Sequence, residues 1–104
     1  MDLVILYVPC PDRETAVNLV SILLREKLIA CGNVHQAESL YEWKGDMVKE
    51  DEWIAVMKTL DQCIGKAETK IISEHPYEVP GIIRWSAKCN EAYHLWLKHQ
   101  LEIG

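Results

Sequence analysis

The segment ESLYEWKGDMVKEDEWIAVMKT, residues 38–59, constrains the architecture of this chain more than any other stretch. Two runs containing Val, Ile, Trp and Tyr flank KGDM, and Gly45-Asp46 fits the two-residue loop of a type II′ hairpin, where Gly takes the positive-φ position. ESLYEW (38–43) and VKEDEWIAVMKT (48–59) then read as antiparallel strands, with WIAVM buried on both faces and the KGDM end projecting past the sheet. A hairpin that outruns a small domain leaves a strand edge and apolar side chains uncovered. A partner chain is therefore expected over it.

The remaining elements follow from period and punctuation. LVILYV (3–8) reads as a central strand, stopped by PCPD, in which Asp12 is placed to cap a helix. Ala16, Leu19, Val20, Leu23, Leu24 and Leu28 recur at spacings of three and four, which predicts an amphipathic helix against one sheet face. LIACGNV (28–34) leads back into extended chain, with Gly32 available for a helix exit or a bulge. TLDQ (59–62) fits a capping box for a helix through Ile64, Ala67, Ile71 and Ile72, in which Gly65 costs about 1 kcal/mol relative to Ala. His75-Pro76 ends that helix, VPGIIRWSA (79–87) is a further strand, and Asn90 can cap a last helix, EAYHLWLKHQL. The order β-α-β-β-α-β plus a C-terminal helix is the α+β, ferredoxin-like arrangement, expected as a single domain over residues 1–104.

Charge and composition remove several function classes. A net charge of -5 with scattered basic residues argues against nucleic acid or an anionic membrane surface as partner. MDLVILYVP is acidic at position 2 and too short for a signal h-region or a membrane span, so the cytoplasm is the expected compartment. Cys10, Cys31, Cys63 and Cys89 form no C-x-x-C pair, which leaves neither a zinc ribbon nor a thioredoxin-like motif. Reduced core thiols are the ordinary use of such cysteines.

Candidate chemistry concentrates in HPYEVP (75–80), a stiff connector with a histidine and a tyrosine beside its prolines. Copper favours thiolate and imidazole, so His75 with Cys10 is a weak metal pair; the competing reading has His75 hydrogen-bonding backbone at a helix end. His94 and His99 lie five apart, not the four that aligns two ligands on one helix face. Glu52 and Lys58 share strand parity and, with His75 and Tyr77, could form an acid/base cluster; a Glu–Lys pair that fixes register competes with that reading. No nucleophile, triad or phosphate-cradling loop is present, so no enzyme is expected. Trp43 and Trp53 are of the type that anchors subunit interfaces, while Trp85 and Trp96 are expected in the core or under a docked helix.

LLREKLIACGNV (23–34), SLYEWKGDM (39–47), KT (58–59), HPYEVPGII (75–83) and YHLWL (93–97) occur in the order and at the spacings of the CutA divalent-cation-tolerance family, which the chain resembles over essentially its whole length. The resemblance implies a homotrimer similar to the PII signalling proteins, with the long hairpin packed on neighbouring subunits. It places Tyr41, Trp43, Glu52, Lys58 and Tyr77 near an intersubunit cleft. It also implies a role in copper or other divalent-cation tolerance, with weak binding of the ion. A structural or signalling adaptor with an unidentified protein partner, or an enzyme using the cleft, are the alternatives. Some copper-binding members carry two adjacent histidines where Glu74-His75 stand here.

Overall fold

The computed structural model describes residues 1–104 as β1 (Asp2–Cys10), α1 (Arg13–Arg25), β2 (Cys31–Trp43), β3 (Asp46–Thr59), a one-turn 3₁₀ helix (Asp61–Cys63), α2 (Ile64–Glu74), β4 (Ile83–Lys88) and α3 (Glu91–Gln100). The four strands form one antiparallel sheet in the order β2-β3-β1-β4, the β-α-β-β-α-β topology expected from the sequence. Asp12 caps α1 through a 2.7 Å bond accepted from the Thr15 amide. That bond holds its carboxyl below the ordinary carboxylate range.

Strand parity decides the two faces. Leu6, Val8, Ala55 and Met57 point to one side and are fully buried under Ala16, Leu19, Val20 and Leu23 of α1 and Ala67 and Ile71 of α2. Leu3 points to the other side, where Leu97 of α3 and Leu101 beyond it close a smaller cluster with Ala30 and Leu60. The third helix thus packs opposite the first two, and it covers only part of its face: Ile83 and Trp85 remain 54% and 46% exposed. Trp96 is exposed as well, so neither Trp85 nor Trp96 is the core residue anticipated. Trp96 instead stacks on Tyr93 with ring centroids 5.6 Å apart.

The hairpin is longer than the sheet it belongs to. β1 pairs with β3 only from Val4↔Thr59 to Cys10↔Trp53, so residues 46–52 pair with β2 alone. Seven residues at about 3.4 Å each give an overhang of roughly 24 Å. It accounts for the elongated 48 × 24 × 20 Å shape.

Four local expectations are corrected. The loop is Lys44-Gly45 rather than Gly45-Asp46: Trp43 pairs with Asp46, and both loop residues have positive φ, 52° and 88°, as a type I′ turn requires. Thr59 is the last residue of β3 and does not cap; its buried hydroxyl donates to the Leu28 carbonyl at 2.7 Å, tying β3 to the chain that enters β2. Gly32 neither ends a helix nor bulges; it lies within β2, where a Cβ would stand 2.8 Å from a Val20 methyl, so its role is close approach of sheet to helix. β4 begins at Ile83, four residues later than expected, and Asn90 occupies the N-cap position of α3 without a side-chain bond.

Candidate functional site

Tyr41 and Trp43 on β2 and Val48, Glu50 and Glu52 on β3 share the sheet face opposite α1 and α2, since Tyr41 lies across from Val48 and Trp43 from Asp46. The connector after α2 closes over the same end of the sheet. Because β4 starts pairing only at Ile83↔Tyr7, the last residues of β1 have no neighbour on that side, and residues 75–82 take its place.

His75 fastens the connector. Its Nε2 lies 2.7 Å from the Pro9 carbonyl, which can only accept, so Nε2 carries the proton. Nδ1 then accepts the Tyr77 amide at 3.1 Å, and the two rings pack 4.7 Å apart at a 57° tilt. Both ring nitrogens of this 8% exposed imidazole are thereby engaged, and Pro76 between them stiffens the arrangement. Tyr77 is aimed by this staple: its hydroxyl donates to Glu52 Oε2 at 2.5 Å. Tyr41 makes the matching bond on the hairpin, donating to Glu50 Oε1 at 2.5 Å.

The result is a cavity of about 470 Å³ between hairpin and connector. Tyr41, Trp43 and Tyr77 supply its aromatic walls, and Glu50, Glu52 and Glu78 its charges, with no Lys or Arg among its lining residues. The tyrosines register that negative field. Burial, then the hydrogen bond to Glu52, pushes the Tyr77 hydroxyl well above its ordinary range. The hydrogen bond to Glu50 is the main cause that pushes Tyr41 up to about 12. Cys10 behind this end is fully buried, and burial, with Asp12 and Glu52 adding repulsion, pushes its thiol up to about 11.

The structure brings Tyr41, Trp43, Glu52 and Tyr77 together around one cavity within a single chain, with His75 as the staple behind Tyr77. It does not bring Lys58. Parity is right, but six residues of strand separate it from Glu52 by roughly 20 Å, and its ammonium donates to Asn33 Oδ1 at 3.0 Å. An acid/base cluster of Lys58 with Glu52 and His75 does not form within one chain. No three His, Cys, Asp or Glu side chains converge closely enough to hold a metal ion. Sequence reasoning missed Glu50 and Glu78. The first was legible, because it stands two residues before Glu52 on the same face; the second needed the fold, because nothing local places the connector over the hairpin. A larger depression, about 790 Å³ between the end of α1 and the start of α2, is lined by Lys27, Lys66 and Lys70. Its Lys70 is already paired with Glu26 and Glu74.

Comparison with known proteins gives a consistent result. The family model for CutA1 divalent ion tolerance proteins matches residues 4–100. A divalent-cation tolerance protein CutA of Pyrococcus horikoshii is 38% identical over 96 residues, covering 91% of this chain and 94% of that one. The crystal structure of the divalent ion tolerance protein CutA1 of Ehrlichia chaffeensis superposes with a TM-score of 0.92 at 31% identity, covering 95% and 94% of the two chains. No helix is long and apolar enough to cross a membrane.

Proposed function

As the chain belongs to the CutA1 divalent ion tolerance family, we propose that it is a non-catalytic, PII-like homotrimeric module of the divalent-cation response, working in the cytoplasm and taking up copper or another divalent cation weakly. The observation that carries the assembly is the overhanging hairpin. Leu40 and Met47 are 63% and 73% exposed there, and Trp43 and Tyr41 are exposed beside them. Ile83 and Trp85 are exposed on the open sheet face as well, and large apolar side chains left uncovered in this way mark interaction surfaces. Other copies of the chain are the cover this reading assigns, and a ring of three closes a head-to-tail contact of hairpin on neighbouring sheet. The four free thiols agree with a reducing compartment.

The cation part of this reading rests on the connector end of the sheet. Cys10 and His75 bring a thiol and an imidazole to one end of the sheet, the ligand types copper prefers. To bind, His75 must release the Pro9 carbonyl or the Tyr77 amide, and a thiol raised to about 11 must lose its proton. Both requirements oppose binding, and a neighbouring subunit has to complete the ligand set.

Native mass spectrometry of the reduced protein with stoichiometric copper tests this reading. Whole equivalents of copper on a trimer, lost in His75→Ala, are the expected result. Diffuse adducts that never saturate would remove copper from it.

A further inference from the structure

We draw no further inference here: the strongest candidate, the depression of about 790 Å³ between the end of α1 and the start of α2, where Cys63 at the N-terminus of α2 lies among Lys27, Lys66 and Lys70, rests on a helix N-terminus and a single thiol beside lysines of which Lys27 and Lys66 are exposed and Lys70 is already paired with Glu26 and Glu74, with no second feature that points to a ligand.

Discussion

Tyr77→Phe deletes one hydroxyl and leaves the ring against His75. The deleted group is the sole protein donor to Glu52, 2.5 Å away, on a carboxylate that is 7% exposed. A hydrogen bond to a charged group contributes roughly 1.5–3 kcal/mol, and the ion left behind keeps its desolvation penalty. We expect Tyr77→Phe to destabilise by about 2 kcal/mol on that basis. Glu52→Ala removes the acceptor; in that background Tyr77→Phe is expected to cost less than about 0.5 kcal/mol, the limit of additivity for uncoupled sites. The four proteins are compared by reversible guanidinium unfolding at one fixed protomer concentration, because an oligomer's stability depends on concentration. The coupling sought is thus about 1.5 kcal/mol or more. Equal costs of Tyr77→Phe with and without the carboxylate would refute the reasoning. The Tyr77–Glu52 contact would then be incidental to the stability of the connector.

Two glycines respond with opposite sign. Gly32→Ala drives a methyl to 2.8 Å from Val20 and is expected to destabilise by about 1–3 kcal/mol as overpacking. Gly65→Ala, inside α2 with nothing within 4 Å, should stabilise by about 1 kcal/mol through helix propensity; denaturant midpoints decide both. Cys10 sets an alkaline limit. Its thiol ionises near 9.0 when free and about 11 when folded, so between these values the unfolded chain sheds a proton the native chain keeps, and stability falls as pH rises. Cys10→Ala should flatten that decline, in unfolding measured under reducing conditions across the same range.

Much of the fold was legible because its signals are local. The apolar run of β1, the Asp12 cap and the three-and-four spacing of α1 each depend on neighbours in sequence. The turn register was not, because Lys44 has no intrinsic preference for the left-handed region; cross-strand pairing around Tyr41 and Val48 places it there. Thr59 has the local look of a helix cap, yet its hydroxyl is claimed by Leu28, thirty-one residues away in the chain. At the site, Tyr41, Trp43, Glu52 and Tyr77 were grouped only by the family resemblance, while parity put Glu52 and Lys58 on one face and wrongly suggested that they meet. Parity fixes a face, and distance along the strand still has to be counted. Glu78 entered only through the path of the connector, which His75 fixes by reaching Pro9.

Sedimentation equilibrium of the purified chain tests the central claim most directly, that the overhanging hairpin is covered by other copies of itself. The account predicts a single species at three times the 12.0 kDa chain mass, driven toward monomer by Trp43→Glu combined with Met47→Glu. A parent protein that sediments at 12.0 kDa, with its hairpin open to solvent, would contradict it.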